Sequence, residues 1–127
     1  MSNDIAKLLL RLSVGIMMLF HGLDKIINGI VGVKHLTVSS GLPEFLAYGV
    51  YVGEIVVPIF IILGAYVRAA SVILGLNMVG AIFLAYGGAL FSLGKHGAPV
   101  IELPFLYLMM SIVIFMIGSG KYALNAK

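Results

Sequence analysis

The sequence predicts an all-α integral membrane protein that folds as an antiparallel four-helix bundle. Of its 127 residues, 61% are hydrophobic and 10% are charged, whereas an ordinary soluble domain carries about 25% charged residues. Eight basic and five acidic side chains cannot cover the surface of a globule of this length, which excludes a soluble fold. The alternating pattern of a transmembrane β-barrel is absent as well, so we predict helical spans.

Four apolar segments are long enough to cross a bilayer, for which a helix needs about 20 residues. A charge at the centre of a span costs about 3 kcal/mol, so charged residues mark span ends or functional sites. The segment 69–94 contains no charged residue and is the clearest span. We predict a single transmembrane domain, residues 1–127, with spans at about 5–27, 44–66, 69–92 and 101–118.

Each span has its own signals in the sequence. In the first span an apolar run follows Lys7, as it would in a signal peptide. Because no small-residue cleavage site comes after this run, we expect a retained helix and not a signal peptide. The second and third are separated only by residues 66–68, which predicts an antiparallel hairpin. The fourth begins near Glu102, after a stretch at 92–99 that contains helix-breaking glycine and proline. Residues 28–42 are rich in glycine and serine, which predicts one long loop.

The basic residues predict the orientation in the membrane. With four spans both termini lie on one side, and cytoplasmic loops carry an excess of Lys and Arg. We therefore predict cytoplasmic termini in a multi-pass protein of the cytoplasmic (inner) membrane. The net charge of +3 reflects this topology and indicates no nucleic-acid partner. The side of the termini carries Lys7, Arg11, Arg68, Lys121 and Lys127, and the opposite side carries Lys25, Lys34 and Lys95.

Glu54, near the middle of the second span, is the first candidate functional residue. A carboxylate at this depth is costly unless it finds a cation, and Arg11 or His21 of the first span could reach it. One hypothesis is a polar cleft between the first two spans that opens outward and is lined by Arg11, His21, Lys25 and Glu54. Tyr51, one turn from Glu54, could belong to it. The alternative is a structural Arg11–Glu54 pair that locks the bundle.

Other polar residues carry weaker signals. At the outer mouth of the cleft, His96 and Glu102 could line up with Lys25, although helix capping is the alternative for Glu102. The histidines match no metal-ligand spacing, so we expect no metal site. Small residues that share a helix face with Asn77 are interpreted as a packing seam. The chain has no cysteine, which excludes disulfides and thiolate metal sites.

A series of polar, glycine and neighbouring residues runs in order along nearly the whole chain. It consists of Arg11, Gly15, His21, Gly22 and Lys25, then Gly41-Leu42-Pro43, Glu54, Gly64, Arg68-Ala69-Ala70, Glu102 and Gly118-x-Gly120-Lys121-Tyr122-Ala123-Leu124. In order and spacing the series resembles the DoxX family of small four-helix membrane proteins, whose pattern often closes with Asp where this chain has Asn125. The resemblance implies a cytoplasmic-membrane protein. Some members of the family are subunits of thiosulfate:quinone or quinol oxidoreductases, and others assemble with oxidative-stress enzymes.

Together with this resemblance, the cleft predicts a redox-associated subunit that binds a quinone or another lipophilic small molecule. His21 could donate a hydrogen bond to a quinone carbonyl, and Glu54 could accept a proton from a quinol. We expect no covalent cofactor, and electrons would leave through a partner, so the chain is at most a subunit of a quinone-linked oxidoreductase. The alternative is a non-enzymatic membrane scaffold or small-solute pathway. The expected partners are the lipid bilayer, redox-enzyme subunits and further copies of the chain.

Overall fold

The computed structural model describes residues 2–86, 92–94 and 97–125. These residues form five helices and no strand, so the predicted all-α class is confirmed. The helices are α1, Ser2–Asn28; α2, Val31–Ser39; α3, Glu44–Leu63; α4, Val67–Tyr86; and α5, Glu102–Ile117.

Three of these helices are long and apolar enough to cross a membrane: Ser2–Asn28, Glu44–Leu63 and Val67–Ala85. Helix α5 is apolar too, but it has 16 residues. At 1.5 Å per residue it extends about 24 Å, against a hydrocarbon layer of about 30 Å. The membrane-helix class therefore stands, while a crossing by α5, the four-helix bundle and the side of the termini stay predictions.

Glycines set the close approach of α1 to α3. A Cβ added to Gly15 would lie 3.0 Å from the Pro58 carbonyl oxygen, and one added to Gly22 would overlap the Glu54 carbonyl. Gly15 faces Pro58, whereas Gly22, which is further along α1, faces Glu54, which is earlier in α3. The two helices therefore run antiparallel. Small residues let backbones pack closely inside a membrane, where apolar side chains gain nothing by leaving lipid.

The core lies where α1, α3, α4 and α5 meet, and the large apolar side chains on the outside suit lipid. Met18, Leu74 and Ile114 are fully buried in this core. By contrast, Phe20 and Phe83 are 63% and 67% exposed. Exposed phenylalanines on this scale would be an aggregation hazard in water, whereas lipid tails solvate them.

Helix α3 has three different backbone geometries along its length. It opens with a 3-10 turn at Glu44–Tyr48, passes through a π-helical turn at Val52–Val56 and ends as an α-helix at Val57–Leu63. In the π turn the Val57 N–H donates to the Val52 carbonyl, five residues back. Pro58 follows directly and has no N–H to donate. The turn places Glu54 at its centre, and π turns within helices frequently occur at functional sites.

Residues 28–42 are not one long loop, and this prediction was wrong over α2. The nine residues of Val31–Ser39 form a helix. Gly29 and Gly41 flank it with φ angles of +78° and +84°, the left-handed region that favours glycine. The turn-forming residues therefore act at the two ends of the segment, and the helix between them buries Thr37 while Val31 and Val38 stay exposed.

The end of α3 is joined to the C-terminal segment of the chain. The link to α4 is residues 64–66, two positions earlier than predicted. The backbone N–H groups of Leu124 and Asn125 donate to the carbonyls of Leu63 and Gly64, each at 3.2 Å. In return, the Asn125 side-chain oxygen accepts a hydrogen bond of 3.0 Å from the Tyr66 N–H. The C-terminal segment thus packs against the end of α3 and its link to α4.

Candidate functional site

A cavity of about 550 Å³ lies among the five helices. This volume is within the range of about 300–1,000 Å³ that is typical of small-molecule sites. Most of its wall is apolar and includes Met18 and Leu36. The polar side chains of its wall are His21, Lys25, Thr37, Glu54, Asn77 and Tyr107.

An ion pair joins two walls of the cavity. The Lys25 Nζ lies 2.8 Å from the Glu54 Oε1, and the two side chains are 21% and 8% exposed. Lys25 stands in the last turn of α1, and Glu54 lies in the π turn of α3. Lys25, therefore, supplies the cation that a carboxylate within a span requires.

Arg11 has a different role, and its predicted pairing with Glu54 is wrong. Its guanidinium donates to four backbone carbonyls, at 3.0 Å to Ile61, 3.0 Å to Ile62, 2.9 Å to Ser119 and 2.7 Å to Tyr122. Two of these carbonyls, those of Ile61 and Ile62, belong to the last turn of α3, where the helical N–H groups run out; the Ile61 carbonyl also accepts from the Gly64 N–H at 3.2 Å. The cation also complements the negative end of the helix dipole.

Distance along α1 explains why Arg11 is absent from the cavity wall. Arg11 and Lys25 are fourteen residues apart, which is about 21 Å along a helix. They therefore lie in opposite halves of α1. In an antiparallel pair the Arg11 end of α1 meets the end of α3, whereas the Lys25 end meets the π turn.

Of the four remaining predicted site residues, one lines the cavity, two lie outside its wall and one is outside the described residues. His21 lines the cavity and packs edge-on against Tyr107, with ring centroids 6.0 Å apart and an interplanar angle of 89°. Tyr51 is outside the wall, and its hydroxyl is 3.5 Å from the Lys25 carbonyl oxygen, a long distance for a hydrogen bond. Glu102 is exposed in the first turn of α5 and is not part of the wall. His96 lies outside the described residues.

Sequence reasoning missed Asn77 and Tyr107 as cavity residues. Asn77 was interpreted as part of a packing seam, but its amide faces Gly53 and the cavity. Gly80, on the same face, also lines the cavity, and a Cβ added there would meet nothing within 4 Å. A lone amide in an uncharged span, together with a glycine next to Glu54, was the available signal. The sequence contains no comparable signal for Tyr107, because interfacial tyrosines are common in membrane proteins.

Among the described residues, no three His, Cys, Asp or Glu side chains are grouped so that they could hold a metal ion. Within the cavity, the positive charge of Lys25 balances the negative charge of Glu54. Within the described part of the chain, the site therefore offers an apolar volume with a neutral ion pair, an imidazole, an amide, a phenol and the Thr37 hydroxyl on its wall.

The family model of DoxX matches residues 6–87 of this chain. The chain belongs to the DoxX family. The predicted resemblance is thus confirmed, and the matched part of this DoxX protein includes His21, Lys25, Glu54 and Asn77. Tyr107 and the C-terminal segment lie beyond it.

Two curated proteins are similar to this DoxX chain over most of their length. One is named "Putative oxidoreductase CatD", from Bacillus subtilis strain 168, and is 33% identical over 98% of this chain and 87% of its own. The other is an "Uncharacterized protein" from Haemophilus influenzae strain Rd, 31% identical over 93% of this chain and 87% of its own. No solved structure matches the chain.

Proposed function

We propose that this DoxX protein is a redox-associated membrane subunit that binds a quinone or a similar lipophilic molecule in the cavity. The observation that carries the proposal is the Lys25–Glu54 pair on the wall of a largely apolar cavity of about 550 Å³. Ionisable groups within membrane spans are costly and are therefore expected at functional sites. The name of the Bacillus subtilis relative, an oxidoreductase, agrees with this chemistry.

Each polar group has a role in binding such a ligand. The apolar wall would enclose the ring and exclude water, and His21 would donate a hydrogen bond to a ring carbonyl. Glu54 would accept a proton from a ring hydroxyl, while Lys25 holds the carboxylate in position through the ion pair. Because the chain contains no cysteine, we assign electron transfer to a partner subunit.

We also propose a cytoplasmic membrane location with both termini in the cytoplasm. The contacts that support it bring the C-terminal segment to the Arg11 end of α1 and to the link between α3 and α4. Arg68 and Lys121 lie in these parts of the chain, so basic residues gather at one end. An excess of Lys and Arg marks the cytoplasmic side of membrane proteins.

Binding of a short-chain benzoquinone to the purified protein in mild detergent tests the proposal. Isothermal titration calorimetry should show saturable binding to the wild type, and solvent extraction of the preparation should release a native quinone. Glu54→Gln and Lys25→Met should each weaken binding about tenfold, the effect of losing one charged hydrogen-bonding group.

Ser111→Ala is the matched control, because its hydroxyl is buried but lies outside the cavity wall. It should bind the quinone as the wild type does. Absence of saturable binding to the wild type, or wild-type affinity in both ion-pair variants, would refute the proposal and leave the non-enzymatic scaffold or small-solute pathway.

A further inference from the structure

The side-chain amide of Asn77 lies on the cavity wall. Within the described part of the chain it makes no hydrogen bond. Asn77 is half-buried, and an amide loses free energy where apolar surroundings deprive it of hydrogen-bond partners. Both its donor and its acceptor are therefore available to a ligand in the cavity.

Gly53 makes room for this amide. A Cβ at Gly53 would lie 2.6 Å from the Asn77 Cγ and 2.9 Å from both its Oδ1 and Nδ2. The three nearest atoms around that position all belong to Asn77, so the amide rests directly on the backbone of the π turn. Gly53 and Asn77 thus form one unit beside Glu54, with the amide held against the α3 backbone.

We propose that Asn77, held over Gly53, is the specificity-determining residue of the cavity, and that the ligand is a neutral ring compound with an oxygen at this position. The inference rests on the proposed function and names its ligand class. An ionic ligand is disfavoured because Lys25 already neutralises Glu54. The amide, like the His21 imidazole, makes no hydrogen bond among the described residues and can recognise an uncharged oxygen.

An amide can serve both redox forms of such a ring. Its NH₂ group donates to a carbonyl, and its oxygen accepts from a hydroxyl. A lysine could only donate, and a carboxylate could only accept. The cavity therefore binds the oxidised and the reduced form with affinities within about threefold of each other, since each form makes one such hydrogen bond.

Three ring compounds of similar shape test this inference on the full-length protein in detergent. They are a short-chain benzoquinone, its hydroquinone kept reduced under anaerobic conditions, and a hydrocarbon with methyl groups in place of the two oxygens. The wild type should bind both oxygen-bearing rings about tenfold more tightly than the hydrocarbon. Asn77→Leu should remove most of this preference and leave only the smaller part that His21 and Glu54 contribute.

Gly53→Ala provides a second variant, because it displaces the amide without deleting it, and it should also remove most of the preference. Its matched control is Gly75→Ala, whose Cβ would press on the Ser111 hydroxyl at 2.9 Å, away from the cavity wall. That control should keep the wild-type preference. Far-UV circular dichroism confirms that each variant is folded before titration.

The outcomes separate this inference from the proposed function. If Asn77→Leu and Gly53→Ala keep the tenfold preference while Glu54→Gln loses quinone binding, the role of Asn77 is refuted and the proposed function stands. A wild type that favours one redox form by more than tenfold also refutes it. If the wild type binds none of the rings, both proposals fail.

Discussion

Replacement of Arg11 by lysine tests whether this residue holds the end of the molecule together and takes no part in the cavity. The guanidinium spans four carbonyls from two separate segments, α3 and the C-terminal segment. Lysine keeps the charge but concentrates its three donors on one atom. We expect it to reach two of the four carbonyls, so that two buried acceptors lose their partner.

The size of the effect follows from those two acceptors. Each unsatisfied buried carbonyl costs about 1–3 kcal/mol, so Arg11→Lys should destabilise the protein by about 3 kcal/mol. For a chain of this length that corresponds to a fall in Tm of roughly 10 °C. Arg11→Met would remove the side-chain donor from all four carbonyls at once and could prevent folding, which makes lysine the better test.

The assay is thermal unfolding in detergent, followed by circular dichroism at one fixed scan rate because unfolding of such proteins is often irreversible. Arg68→Lys is the matched control: it exchanges the same groups, but Arg68 is exposed and donates from Nε to the Phe115 carbonyl at 3.0 Å. The Arg68→Lys variant should lose less than about 1 kcal/mol of its free energy of unfolding. Equal falls in Tm for the two variants would refute the reasoning. So would a tenfold loss of quinone affinity in folded Arg11→Lys, because the residue would then act in the cavity.

Three further predictions concern the ion pair, a helix contact and the C-terminal segment, and all are measured by the same unfolding assay. Lys25→Met should destabilise more than Glu54→Gln, by about 3 against about 1 kcal/mol, because the carboxylate left behind is the more deeply buried partner. The double variant should recover most of the loss; equal single losses would contradict this. Gly22→Ala should cost about 2 kcal/mol because its methyl overlaps the Glu54 carbonyl, while Gly32→Ala, with nothing within 4 Å, should not destabilise at all. Asn125→Leu should cost about 1 kcal/mol because the Tyr66 N–H loses its acceptor. Asn125→Asp keeps an acceptor oxygen and should cost less. Equal losses for the two variants would exclude that hydrogen bond as the cause.

The sequence was sufficient to predict the helical class and to single out three polar residues that line the cavity, His21, Lys25 and Glu54. Charges inside apolar segments are rare enough that Glu54, and the Lys25 at the end of the first span, stood out at once. Helical spacing also placed Gly15, Gly22 and Lys25 on one face, and the structure packs the two glycines of that face against α3. These features depend on local periodicity alone.

The rest depends on how helices meet, which periodicity does not specify. The choice of Lys25 over Arg11 as the partner of Glu54 follows from the antiparallel alignment of α1 with α3. The acceptors of Arg11 are backbone carbonyls, which every residue possesses and no sequence pattern reveals. The π turn likewise changes which side chains face inward, so the contact of Gly53 with Asn77 appears only once α3 and α4 are in place.

The position of Glu54 is set by α1 before any ligand is involved. Pro58 has no N–H to donate to the Glu54 carbonyl, and Gly22 faces that same carbonyl. Lys25 is one helical turn beyond Gly22, so a single stretch of α1 both fits the α3 backbone and supplies the cation. A side chain at position 22 would push the π turn outward and lengthen the Lys25–Glu54 contact. The close packing at Gly22 is therefore part of the candidate site, even though Gly22 does not line the cavity.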